Sequence, residues 1–229
     1  MNHIRFVLAF IVLAGSLLMS AARPVEAPDT LTVSEAFMRL PHAELSILPP
    51  ETRRDMLDYM EADSIAVRYN VYMGKSWIEK MTPDYMRVHL TDASSLELKI
   101  LPSSDKKNPF IAMSIYTIGA DEADSDSTIK FFSSDMKPLN ADKYFKLPDP
   151  KLFYNIPKDS PIKLNDILEE MPFYTIRYSV SEADPAKLKG TLTISEHLTQ
   201  EQRDRILPLI SPELEWIWDG KKFKYANEK

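Results

Sequence analysis

The sequence contains no cysteine. That excludes disulfide scaffolds, cysteine nucleophiles, iron–sulfur clusters, thiolate zinc sites and a lipidated N-terminal cysteine. Glycine is almost as scarce, with 5 residues in 229, about 2% against a usual level of roughly 7%. No Gly-rich phosphate-binding fingerprint is present. Also missing are a Gly-x-Ser-x-Gly elbow, a His-Glu-x-x-His pair, and a Ser-x-x-Lys accompanied by the other motifs of penicillin-recognising enzymes. Basic residues are outnumbered, 28 Lys and Arg against 34 Asp and Glu, for a net charge of −6. No long basic run offsets this, since Lys221-Lys222-Phe223-Lys224 is short. Such a field repels phosphate backbones and anionic membrane surfaces, which excludes nucleic acid as a partner.

Hydrophobic residues at 44% and charged residues at 27% place the body of the chain among globular proteins. Its start has the pattern of a signal peptide over residues 1–22. Arg5 supplies the positive end, Phe6 to Met19 an apolar run, and Ser20-Ala21-Ala22 the small residues of a cleavage site. Val25-Glu26-Ala27 offers a second cut, directly before Pro28. An uncleaved membrane anchor competes with this reading, but the run sits at the short end of the ~17–25 residues a span needs. The expectation is an exported protein, in the periplasm or outside the cell, with no membrane span after cleavage.

Beyond the linker at 23–30, Ser34 to Leu40 reads as a short helix capped by Ser34 and stopped by Pro41. Pro50 to Ala62 reads as a longer one, with Pro50 in the first turn and an apolar stripe of Met56, Leu57 and Met60. From Ile65 the period changes to two. Ile65, Val67, Tyr69 and Val71 alternate with polar residues, as do Met86, Val88 and Leu90, and then Leu96, Leu98 and Ile100. Each run predicts a strand with one buried face. Phe110 to Ile118 reads as a central strand and Thr128 to Phe132 as another. Further on come a helix at Asn165 to Met171, strands around Tyr174 to Val180 and Leu188 to Ile194, and a helix opened by a Thr199–Gln202 capping box. Asp219-Gly220 marks a hairpin that would pair Trp218 with Lys221 and Trp216 with Phe223.

Successive strands without regular helical crossovers predict an α+β fold of short helices alternating with antiparallel sheet. The order of the pieces also suggests two repeated helix-plus-sheet modules, at 23–137 and 162–229. Five prolines within 138–161 (Pro138, Pro148, Pro150, Pro157 and Pro161) mark a connector between them.

Candidate chemistry is sparse. His42, His89 and His197 are far apart in the chain, and His89 and His197 read as surface residues. Asp121, Asp124 and Asp126 could offer oxygen ligands to calcium, although their run lacks the glycine and distal glutamate of an EF-hand loop; a solvated loop is the plainer reading. Asp55 and Asp58 share a helix side and suit either acid–base work or simple solvation. Trp216, Trp218, Phe223 and Tyr225 share one face of the last hairpin. That face either packs as core, which is the commoner arrangement, or forms a binding platform. No catalytic residue and no cofactor is expected. The functional expectation is an exported, non-enzymatic protein that binds an envelope or extracellular macromolecule through a sheet face or edge. The alternative is an exported hydrolase using Asp55, Asp58 or the Asp121–Asp126 cluster.

The segments Ser46-Ile-Leu-Pro-Pro, Arg54-Asp-Met-Leu-Asp-Tyr-Met, Ser95-Leu-Glu-Leu-Lys-Ile-Leu-Pro102 and Ser127-Thr-Ile-Lys-Phe-Phe132 resemble a family of uncharacterised exported Bacteroidetes proteins of about 200 residues, known only as a domain of unknown function. The resemblance implies a fold spanning most of the chain and implies no reaction.

Overall fold

The computed structural model describes residues 31–62, 64–104, 110–117, 125–171, 174–183, 185–194, 198–211 and 213–227. The signal segment, the 23–30 linker, Asp121, Asp124 and His197 lie outside the described residues.

The chain enters through α1 (Val33–Arg39). Its cap is Thr32 rather than Ser34, because Glu35 sits three residues after Thr32 and closes a reciprocal box: the Glu35 N–H donates to Thr32 Oγ1 and the Thr32 N–H to Glu35 Oε2. The longer α2 (Pro50–Glu61) follows, turning Met56 and Leu57 inward and Asp55 and Asp58 outward. Arg53, fully buried on α2, has no carboxylate partner among the described residues. Its guanidinium instead donates to the carbonyls of Leu48, Phe37 and Leu40 at 2.8–3.0 Å and of Met38 and Leu45 at 3.4 Å. It thereby ties the end of α1 and the intervening loop to α2.

Seven strands follow as an antiparallel meander in chain order: β1 (Arg68–Tyr69), β2 (Lys75–Met81), β3 (Tyr85–Thr91), β4 (Ser94–Leu101), β5 (Phe110–Thr117), β6 (Asp126–Phe132) and β7 (Pro138–Leu139). One face packs against the two helices. Phe37, Leu48 and Met56 meet Met86, Val88, Leu96, Leu98 and Met113 there, and each such buried side chain contributes about 1.5–3 kcal/mol.

The second sheet has four strands in the order β11–β10–β9–β8: β8 (Tyr174–Val180), β9 (Lys187–Ile194), β10 (Leu214–Trp218) and β11 (Phe223–Tyr225). α3 (Leu164–Glu170) precedes it, and α4 (Gln200–Ile206) interrupts it with the expected Thr199–Gln202 box. The fold is α+β, with two antiparallel sheets and four short α-helices among the described residues. Among the described residues no helix lies between strands of the first sheet, whereas α4 lies between β9 and β10 of the second. The proline-bearing stretch runs from one sheet to the other and buries Phe145 and Phe153 in the core they share.

That shared core corrects the reading of β4. Leu96, Leu98 and Ile100 face the helices as expected, but Glu97, Lys99 and Leu101 are buried too, under the second sheet. The hairpin register is also corrected. Trp218 pairs with Phe223 and Trp216 with Tyr225. The turn centres one residue later than expected because Asp219 Oδ1 accepts the N–H groups of both Lys221 and Lys222, and Gly220 takes the left-handed φ of +93°. In the middle of the sheet, Gly190 is required by close approach: a Cβ there would lie 3.0 Å from the Trp216 ring.

Candidate functional site

The aromatic face of the last hairpin is core. Trp216, Trp218 and Phe223 are 3–5% exposed and Tyr225 is half-buried. Trp218 Nε1 donates to the Pro102 carbonyl at 2.6 Å, and Phe145 meets Trp216 edge-on at 5.2 Å. These rings offer no open platform.

Of the acidic loop, Asp126 lies on β6 with an exposed side chain, its Oδ1 accepting the Ser127 N–H. Among the described residues no group of three or more potential ligands is placed to hold a metal. Asp55 is ion-paired with Arg68 at 3.6 Å, and Asp58 points to solvent. His42 is exposed. His89 lies on the polar side of β3 and stacks on Trp77, with ring centroids 3.6 Å apart. Among the described residues no helix is long and apolar enough to cross a membrane.

A polar cluster that periodicity did not reveal joins the sheets. Buried Glu97 accepts from Arg87 (2.8 and 3.2 Å) and Tyr85 (3.3 Å) at Oε1, and from the Val180 N–H (2.7 Å) at Oε2. Burial pushes its carboxyl above the ordinary range, while the Val180 N–H and Arg87 oppose the rise. The Tyr85 phenol is pushed up by burial and then by the Glu97 charge. Buried Lys99 donates to Asp84 at 2.6 Å and to the Glu182 carbonyl at 2.8 Å. A cleft of about 300 Å³ opens beside this cluster, between Lys80, Arg87 and Ser181. Both carboxylate oxygens of Glu97 and the Lys99 ammonium are engaged by protein groups, so the cluster acts as a tie between sheets.

The tie belongs to a longer row. β8 is the outermost strand of its sheet. Its outward backbone groups meet side chains of the first sheet: Ser114 Oγ donates to Tyr178 O, Ser127 Oγ to Ile176 O, and Ser127 Oγ accepts from Tyr178 N. An uncovered strand edge invites pairing with another chain, and proteins usually protect it. Here the β8 edge is covered by this row. β7 begins with Pro138, which has no N–H to offer. β11 carries Lys224 and is partly covered, its Phe223 N–H donating to Tyr144 O at 2.8 Å.

The fourth edge, β1, is covered only in part: Arg68 Nη1 donates to Val67 O and the Val71 N–H to Ile47 O, both at 3.3 Å. The alternation of Ile65, Val67, Tyr69 and Val71 is real, but it faces the opposite way from expectation: Ala66 and Asn70 turn inward and the apolar row turns to solvent. The chain reverses just beyond, around buried Asn70. Its Oδ1 accepts the N–H groups of Tyr72 (2.9 Å) and Gly74 (3.1 Å), and its Nδ2 donates to Leu90 O (2.9 Å) and Ser76 Oγ (3.1 Å). All four hydrogen-bonding positions of the amide are filled. The turn holds Met73 at a φ of 64° and leaves Tyr72 and Met73 75% and 76% exposed. With the row at 48–64% exposure, six large apolar or aromatic residues within 65–73 are open to solvent. The register Arg68↔Ser76 and Asn70→Gly74 turns the backbone groups of Val67 and Tyr69 away from β2. Arg68 lies over the Tyr59 ring at 4.4 Å and closes the α2 side of the patch.

A family model described as "Protein of unknown function (DUF3256)" matches residues 28–223. A solved domain of an uncharacterized protein from Porphyromonas gingivalis W83 superposes with a TM-score of 0.71 at 20% identity, covering 86% of this chain and 98% of that one. The likeness to that structure concerns the fold alone. No curated protein matches the chain.

Proposed function

The chain belongs to the DUF3256 family of proteins of unknown function, and from that premise we propose that it is an exported, non-enzymatic binding protein whose contact surface is the β1 edge. The occupant is an extended apolar segment of another envelope or extracellular protein. It lies along Val67 and Tyr69 as an added strand, with its side chains against Ile65, Val71, Tyr72 and Met73. One observation carries the reading: β1 presents an exposed apolar row, and the turn beyond it holds Tyr72 and Met73 out to solvent. The signal-like N-terminus and acidic charge support export and argue for a protein partner over nucleic acid.

The test is in-cell photocrosslinking with benzoylphenylalanine placed at Tyr69, compared with the same group at Leu139 on β7. The expected result is an adduct with a different exported protein from position 69 alone, abolished by Val67→Lys. No adduct, an adduct indifferent to Val67→Lys, or an adduct of exactly twice the chain's mass (a second copy as occupant) would overturn the reading.

A further inference from the structure

A groove of about 590 Å³ lies at the far end of the second sheet, between residues 142–149 and β11. Lys143 and Lys146 line one side, Lys222 and Lys224 the other. Lys224 is held by Asp219 at 2.9 Å, but Lys143, Lys146 and Lys222 have no acidic partner among the described residues. The lining also carries Asp142 and Asp149, so its four lysines exceed its carboxylates by two. A chain of net charge −6 thus keeps a small excess of positive charge around one concavity, which favours an anion.

The backbone adds a second constraint. Ala226 N–H bonds Glu215 O and Asp219 N–H bonds Lys222 O, so the β10–β11 ladder uses the even-numbered residues and turns the backbone of Phe223 and Tyr225 outward. Phe223 gives its N–H to Tyr144 O; the N–H of Tyr225 has no partner among the described residues. We propose that this groove binds an extended acidic peptide, which continues the ladder at Tyr225 and places its carboxylates on Lys143, Lys146 and Lys222. An anionic polysaccharide would satisfy the lysines but not the open backbone rung. The lining rings are also poorly placed to stack on a sugar, since Trp216 and Phe223 are buried and Tyr144 and Tyr225 half-buried.

The test is fluorescence anisotropy of a labelled hexaglutamate peptide on the full chain, with hydrogen exchange at the Tyr225 amide and polygalacturonate as competitor. The expected result is saturable binding that slows exchange at Tyr225, falls at high salt, and weakens about tenfold in Lys146→Glu, as for one lost charged contact. Lys75→Glu, an exposed lysine on the other sheet, should leave it unchanged; circular dichroism verifies that both variants fold. Absence of saturable binding, equal loss in Lys75→Glu, or displacement by polygalacturonate without protection of Tyr225 would overturn the proposal. None of these outcomes bears on the β1 edge.

Discussion

The backbone N–H of Val180, on the outermost strand of the second sheet, donates to Oε2 of Glu97 in the middle of the first at 2.7 Å. A single carboxylate therefore holds the edge of one sheet against the face of the other, and also receives Arg87 and Tyr85. Glu97→Ala strands a buried N–H and removes the Arg87 partner, so it should cost roughly 3 kcal/mol. Glu97→Gln, of the same shape, should cost less. Urea unfolding of the two variants checks the order.

The same carboxylate has a defined pH signature. Burial raises its folded-state value above the ordinary 4.5, so between those two values the folded chain binds the proton more tightly than the unfolded chain. Stability from this group is therefore greatest at low pH, falls as pH rises from about 4.5 through the folded value, and is flat above it. Asp219 acts in the opposite sense. Some desolvation works against it, but the Lys222 N–H, the Lys224 ammonium and the Lys221 N–H prevail and bring it down to about 2. Its stabilisation is present above the ordinary value and lost as pH falls toward 2. The stability difference between Glu97→Gln and the parent should thus shift in favour of the variant as pH rises above 4.5. That between Asp219→Asn and the parent should change only below pH 4. A Glu97→Gln difference independent of pH would show that the carboxyl is not shifted by burial.

Arg53 makes the strongest case for a buried charge that stabilises through carbonyls. Arg53→Met keeps much of the volume but strands the carbonyls of Leu48, Phe37 and Leu40, and should cost on the order of 3–5 kcal/mol. Arg53→Lys cannot reproduce the planar fork and should recover only part of it. Amide exchange in α1 should accelerate in both. Thermal unfolding with a neutral lysine variant would refute the role assigned to the guanidinium.

Much of this architecture was legible in the sequence. Leu96 to Ile100 and Met86 to Leu90 are strands because two-residue alternation survives when one face meets a helix layer. β2 escaped notice because a register shift between Ile78 and Lys80 breaks that period. Glu97 and Lys99 read as a wet face because alternation reports polarity within a strand, whereas their burial depends on β8, about eighty residues later in the chain. The β1 row misled for a related reason: an edge strand can turn its apolar side either way, and the deciding residue is Asn70, which is held inward by its bonds to Ser76 Oγ and to Leu90 O, twenty residues on. The hairpin aromatics allowed both core and platform, and Phe145, from the proline-bearing stretch, fills the space that makes them core.

That core assignment has a direct optical test. Trp77 is half-buried beside His89, while Trp216 and Trp218 are buried. In Trp77→Phe, iodide should quench the native emission weakly and the unfolded emission strongly. Strong native quenching would place the hairpin rings at the surface and remove the shared core from the fold.

The Asn70 turn offers the sharpest separation of stability from binding. Asn70→Ala removes an amide that fills four hydrogen bonds, two of them to the N–H groups of Tyr72 and Gly74, and should cost about 2 kcal/mol. Its effect should be local, with faster exchange at Tyr72 and Gly74 and little change at β4 or β5. Met73→Gly relieves a non-glycine residue at a φ of 64° and removes a largely exposed side chain, so it should leave stability unchanged or slightly raised, by under ~1 kcal/mol. If β1 is the contact surface, both variants should weaken crosslinking from position 69, the first by loosening the turn and the second by deleting apolar area. A Met73→Gly protein that is as stable as the parent and crosslinks equally well would show that the exposed turn takes no part in binding.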